Sequence, residues 1–289
     1  MPYNQPITDL VRKRFSCRSY LEQPIAPDTR QELKGFISSG VPGALGTGPR
    51  FELVAATEGD RKALRGLGAY GFIRGATGFI IGAVAPGEHN LEDFGYQMER
   101  IILRATDLEL GTCWLGGTFT KSRFAKKIRA HNNESVPAVV SVGYMADKPR
   151  GLDAMIRRGA GADARLPWEK LFFDSAFGAP LTAEKAGGYA TPLEMVRLSP
   201  SASNRQPWRI IRGGNAWHFY LQRTPGYREG GLMRFMRIAD MQRIDMGITM
   251  SHFELVANEL GLAGGWQVDE PAISRPDDLT EYTASWVSA

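Results

Sequence analysis

The chain has 289 residues, and 35 Lys and Arg against 31 Asp and Glu leave a formal charge of +4 and a pI near 9.1. Apolar residues at 43% supply a packed core and exclude a disordered chain, which combines low hydrophobicity with a large net charge. Acids interleave with the bases everywhere except Arg12 to Arg18 and Lys121 to Arg129, which argues against a nucleic-acid partner. The longest uncharged stretch, 35–49, is too short and too rich in Gly and Pro for a membrane span of about 20 apolar residues.

The opening MPYNQPITDLVRKRF has no apolar run of the kind a secretory signal needs. The two cysteines, Cys17 and Cys113, permit at most one disulfide and no cysteine-based zinc site, so a cytoplasmic location is expected. A short helix over Ile7 to Arg12 leads into RKRFSCRSY, 12–20. In an extended chain Arg14, Ser16 and Arg18 point to one side, and Phe15 and Cys17 to the other. Two guanidiniums flanking a hydroxyl suit a phosphate. For this segment taken alone, cations completing the dipole of the preceding helix are the simpler reading.

A second helix starts near Pro27 or Asp28, with Asp28 a good N-cap, and a glycine-rich loop follows. FELVAA and GFIIGAV read as strands. Between them Gly66, Gly68 and Gly71 match G-x-G-x-x-G, but they follow the helix-like EGDRKALR instead of a strand, so a Rossmann site is rejected. A long helix over 93–110 carries Met98, Ile101, Ile102, Ala105 and Leu108 at helical spacing. It runs into TCWLGGTF, where Leu115, Gly116 and Gly117 offer backbone that a flat ligand can approach; a plain helix stop has the same composition. VPAVVSVGY is a third strand.

Residues 146–186 read as an ordered connector between a first half, 1–145, and a shortened second half, 187–289. The second half repeats the order: helix TPLEMVRL, loop SPSASNRQPW (199–208), strand RII, turn GGN, strand AWHFYL, and a helix over 245–262. In the loop, Asn204 and Gln206 each offer a donor and an acceptor, which suits the edge of a uracil-like ring. A self-satisfied Asx turn is the alternative. A shift of 152 residues lays 93–114 on 245–266 with eight of 22 positions identical, among them Asp93/Asp245, Gly95/Gly247 and Trp114/Trp266. Periodicity alone does not reproduce the closing Leu-x-Leu-x-x-x-Trp, so the chain reads as an internal duplication, a pseudo-dimer in one polypeptide.

The four histidines have no metal-ligand spacing, and Ser201 and Ser203 lack the strand–turn–helix setting of a nucleophile elbow.

Taken together, three segments resemble a known family. RFSCRSY is similar to the R-x-S-x-[RK]-x-[FY] signature of FMN-dependent nitroreductase-type flavoproteins, and SPSASNRQPW is close to their S-P-S-S-x-N-x-Q-P-W. VPAVVSVGY and ARLPWEKLFF resemble the late strand and the closing segment. Ordinary members build each flavin site across two subunits. Here the first motif occurs only in the first half and the second only in the second, so the chain resembles the nitroreductases that carry two family-like halves in one polypeptide.

The resemblance implies an α+β, three-layer α/β/α fold with mixed, mostly antiparallel sheets and the two repeat helices packed centrally. It implies FMN, with NAD(P)H as a transient co-substrate and a small aromatic, quinone or nitro compound as acceptor. Carried over, Arg14, Phe15, Ser16 and Arg18 lie at the phosphate and the N1/O2 side of the ring, and Pro200, Ser201, Ala202, Ser203, Asn204 and Gln206 line the cofactor from the other half. Leu115, Gly116 and Gly117 bring backbone near N5 and O4, and Arg165 adds a phosphate contact. No acid, base or nucleophile and no metal is implied, and one chain suffices. Many members have Glu where this chain has Gly116, and the Asn and Lys before GFIIGAV have no clear match, unless Arg74 replaces the Lys. A flavin-binding protein without turnover, acting as a sensor or store, is the alternative.

Overall fold

Strand order carries the duplication beyond the helices. In the computed structural model, which describes residues 3–40, 42–58, 60, 62–65, 67, 73–117, 119–146, 164–227 and 238–289, the first sheet holds β1 (Arg50–Ala55), β2 (Gly78–Ala83), β3 (Gly111–Leu115) and β4 (Val139–Gly143). Their order is β1-β2-β4-β3, with every pair antiparallel. The second sheet holds β5 (Phe172–Asp174), β6 (Trp208–Gly213), β7 (Ala216–Gln222), β8 (Gly264–Gln267) and β9 (Thr280–Ser288) in the order β5-β6-β7-β9-β8. Only β5 runs parallel to its neighbour. Without β5 the second order repeats the first strand for strand. The fold is thus α+β, with mixed and mostly antiparallel sheets.

The helices are α1 (Ile7–Lys13), α2 (Pro27–Ser38), α3 (Asn90–Asp107), α4 (Lys121–Lys127), α5 (Ala183–Ala186), α6 (Ala190–Arg197) and α7 (Met241–Glu259). Apolar faces decide their places. Phe94, Met98, Ile101 and Ile102 of α3 pack on Leu53, Ile80, Val140 and Val142 of the first sheet. Met246, Met250 and Phe253 of α7 pack on Ile210, Phe219 and Trp286 of the second. On the outer face of the first sheet, Phe124 of α4 meets Phe79 edge-on with ring centroids 5.1 Å apart. Covered on both faces, β2 is buried along its whole length, and its sequence is continuously apolar instead of alternating.

Helices α3 and α7 cross at backbone distance. A Cβ at Gly95 would lie 2.1 Å from the Ile244 carbonyl oxygen, and one at Gly247 would lie 1.8 Å from that of Glu92. The 152-residue shift carries Gly95 onto Gly247 and Glu92 onto Ile244, so each contact is the image of the other. That reciprocity is the mark of an isologous, two-fold interface, here within one chain.

The structure corrects two sequence readings. Helix α2 starts at Pro27 with Ala26 before it and no side-chain cap. Pro at the first helical position lacks the N–H that would need capping, and Asp28 favours the dipole from inside the first turn. The segment after α3 is not only a helix stop, because Gly111–Leu115 forms edge strand β3, paired with β4. Its counterpart β8 lies against β9. Five residues with a glycine carry little strand signal by themselves; the neighbouring ladder supplies the hydrogen bonds. Gly66, Gly68 and Gly71 lie outside the described residues, as do 147–163 of the connector, while the rest of the connector contributes β5.

Candidate functional site

Arg14 follows α1 as its C-cap residue, and the chain then runs extended. The Cys17 N–H donates to Thr112 O at 2.8 Å, tying this segment to the start of β3. The Arg74 N–H donates to Arg18 O at 2.9 Å, so Arg74 lies beside the segment. The expected two-sided alternation is incomplete: Phe15 is exposed and Cys17 buried, although both were expected on the side opposite the arginines. The Arg14 side chain is 6% exposed, drawn inward by the fully buried carboxylate of Glu99 on α3, with Nε 3.6 Å from Oε1. That distance is too long for a hydrogen bond, and Arg14 Nε has no hydrogen-bond partner among the described residues.

Strand β3 brings the second element to the same carboxylate, since Trp114 Nε1–H donates to Glu99 Oε2 at 2.8 Å. At the end of this strand Gly116 and Gly117 face side-chain tips: a Cβ at Gly116 would lie 2.6 Å from Met241 Sδ, and one at Gly117 3.1 Å from Ile238 Cδ1. Ala202, Trp114, Ile238 and Met241 belong to one apolar cluster, which joins the second-half loop to this strand end.

That loop is held in an uncommon backbone conformation. Ser203, Asn204 and Gln206 have φ of 51°, 53° and 50°, a region non-glycine residues occupy only when their surroundings enforce it. Enforcement comes from side chains. The Ala202 N–H donates to both carboxylate oxygens of Asp245 at 3.1 Å, and the Gln206 N–H to Ser201 Oγ at 2.9 Å. Asn204 Nδ2 donates to Ala164 O at 2.9 Å, Arg165 Nη2 to Leu198 O at 3.2 Å, and the Leu166 N–H to Gln206 Oε1 at 2.8 Å. The two amides therefore clamp segment 164–166 and seat Arg165 beside the loop.

Ser199, preceding Pro200 at the mouth of the loop, lies 2.9 Å from His252 Nδ1 through its Oγ, and His252 Nε2 lies 3.1 Å from Glu99 Oε1. Glu99 thus joins all three sequence segments. Ser199, His252 and Glu99 form a hydroxyl–imidazole–carboxylate series, but all are fully buried, so the hydroxyl cannot meet a substrate as a nucleophile. Sequence reasoning missed Glu99 and His252, because charged or polar residues on a helix ordinarily mark its solvent face. Asp245 left a signal, being one of the identities of the repeat. Its image, Asp93, anchors the first-half loop by accepting from Leu45 N at 2.9 Å and Thr47 N at 2.7 Å.

Burial pushes the Asp245 carboxyl well above the ordinary carboxylate range, opposed by the Ala202 N–H and reinforced by Asp240. A raised folded pKa contributes stability below the unfolded value of about 3.9, and that contribution is lost as pH rises through the folded value. Asp245→Asn keeps a carbonyl for Ala202 but cannot ionise. Its melting temperature relative to the parent therefore rises between pH 4 and pH 8. A difference that stays flat with pH refutes the shift.

The basic run Lys121 to Arg129 forms α4 and the turn after it. Arg50 closes this end, its Nη1 donating to Ile128 O at 2.9 Å and its Nη2 to Arg129 O at 3.0 Å. No helix among the described residues is long and apolar enough to cross a membrane.

The sequence profile of a family described as "Putative TM nitroreductase" matches residues 6–257. A crystal structure described as a putative nitroreductase from Thermotoga maritima MSB8 superposes with a TM-score of 0.60 at 18% identity, covering 99% of this chain and 94% of that one, which shows a shared fold. A nitroreductase family protein from Clostridium novyi NT covers 50% of this chain and 87% of its own at 20% identity and a TM-score of 0.39. A nitroreductase with bound FMN from Bacteroides fragilis covers 51% and 92% at 17% identity and 0.37. No curated protein matches the chain.

Proposed function

The chain belongs to the family described as Putative TM nitroreductase, and from that premise we propose that it is an FMN-dependent oxidoreductase using NAD(P)H and a small quinone, nitro or related aromatic acceptor. The observation that carries this reading is the meeting of the arginine segment, the Gly116–Gly117 strand end and the 199–206 loop around one buried carboxylate within one chain. A phosphorylated planar ligand suits these residues. Among the described residues Arg14 Nε is buried without a hydrogen-bond partner, and the two glycines leave strand-end backbone whose Cβ side faces the flexible tips of Met241 and Ile238.

When bound, FMN would supply the redox chemistry between the nicotinamide and the acceptor. The protein binds and orients. Arg14, Ser16 and Arg18 hold the phosphate end, with Arg165 a further cation from the connector. Arg18 is also the cation assigned to stabilise negative charge on the N1/O2 side of the ring. Leu115, Gly116 and Gly117 offer backbone at the reactive edge, while Pro200 to Gln206 form the opposing wall.

Colour tests the reading. The purified protein is expected to be yellow, to release FMN on denaturation, and to bleach when NADH or NADPH is added without oxygen. Protein that remains colourless after FMN is added sinks the proposal, and protein that stays yellow with both nicotinamides is a flavin binder without this turnover.

A further inference from the structure

The carboxylate that joins the three segments has a counterpart across the pseudo-two-fold. Trp266, the image of Trp114, donates Nε1–H to Glu254 Oε2 at 2.7 Å, and Arg100, the image of His252, donates from Nη2 to Glu254 Oε1 at 2.8 Å. Each half therefore has a carboxylate on its central helix that holds the tryptophan of its own following strand and a basic side chain from the other half's helix. The carboxylates themselves are not images. Ser251 stands at the image of Glu99, buried and with no hydrogen-bond partner for its hydroxyl among the described residues, and Glu254 lies about one helical turn farther on.

The two junctions lead to different places. From Glu99 the contacts run to Arg14 and, through His252, to Ser199. From Glu254 they run to the Tyr96 hydroxyl at 2.6 Å, with Arg100 lying 4.3 Å over the Tyr96 ring. Resting on the flavin reading above, we propose that Glu99 is a positioning residue for the cofactor, whereas Glu254 only ties together α3, α7 and β8. Glu99 holds Arg14 at the phosphate end and, through His252, fixes the start of the 199–206 loop.

Donor chemistry separates the two roles. In Glu99→Gln the amide oxygen still accepts from Trp114, and the amide nitrogen can donate to His252 Nε2 once the imidazole proton moves to Nδ1. Met195 O, 3.1 Å from Nδ1, is an acceptor for that proton. The network stays satisfied, and what is lost is the charge facing Arg14. A buried cation without its counter-charge turns toward water, which dismantles the phosphate end. In Glu254→Gln no such exchange exists, because Arg100 only donates and one donor is left facing another.

The test measures melting temperature and FMN affinity, by quenching of FMN fluorescence, for the parent, Glu99→Gln, Glu254→Gln, Arg14→Ala and the Arg14→Ala/Glu99→Gln pair. Glu254→Gln is expected to melt lower than Glu99→Gln yet bind FMN within twofold of the parent. Glu99→Gln is expected to weaken FMN at least tenfold, and to add less than twofold once Arg14 is alanine, because the group it positions is gone. Unchanged affinity in Glu99→Gln, equal losses in both glutamine variants, or additive losses in the pair overturn the proposal while leaving the flavin reading intact. A parent that binds no FMN overturns both.

Discussion

Gly247→Ala is expected to lower stability by roughly 3 kcal/mol or more, at or beyond the upper end of ordinary overpacking, and the melting temperature by roughly 6 °C or more. The new methyl would lie 1.8 Å from Glu92 O, 2.7 Å from Glu92 C and 2.7 Å from Tyr96 N, all backbone atoms of α3. No rotamer change relieves that overlap, so α3 and α7 must separate along the seam on which both sheets are built. Gly35→Ala supplies the contrast. It lies inside exposed α2 with nothing within 4 Å of its Cβ position, and alanine there is expected to stabilise by about 0.5–1 kcal/mol. Thermal unfolding of the two variants decides; a Gly247→Ala protein as stable as the parent would mean that the helices do not cross at this point.

Arg14→Ala is expected to weaken FMN by roughly ten- to a hundredfold, since a charge-assisted contact to a dianionic phosphate is worth about 1.5–3 kcal/mol. Asn204→Ala is expected to cost less, nearer about 1 kcal/mol. Its amide is engaged with Ala164 and Arg165, so its loss loosens the wall of the site without removing a charge, and water can replace part of what is lost. Fluorescence titration of both variants gives the order. A larger loss at Asn204 than at Arg14 would place the phosphate elsewhere.

Why the helix pair was legible in the sequence follows from what its identities do. Gly95 and Gly247 are the crossing points, and Asp93 and Asp245 are the loop anchors. Each pair performs one task twice, so the same shift that aligns them aligns the physical constraints. The strand GFIIGAV, buried on both faces, was equally plain. By contrast β9 leaves no distinct sequence expectation, and β3 has the composition of a helix stop, because short strands containing glycine or lying near the chain end are defined by the neighbour they pair with.

The amino-acid sequence by itself determined the duplication, the helix faces and the split of the two signature motifs between the halves, since each depends on residues close in sequence or related by one constant shift. Only the tertiary structure decided what the motif side chains do. Arg14 turns inward because Glu99, 85 positions away, is its counter-charge, and Asn204 and Gln206 bind the 164–166 segment instead of presenting unengaged edges. His252 meets Glu99 from the opposite helix. Hydrogen bonds and ion pairs act over a few ångströms and are indifferent to separation along the chain. Their partners are therefore chosen by the crossing of α3 and α7, which no local pattern of charge or hydrophobicity encodes.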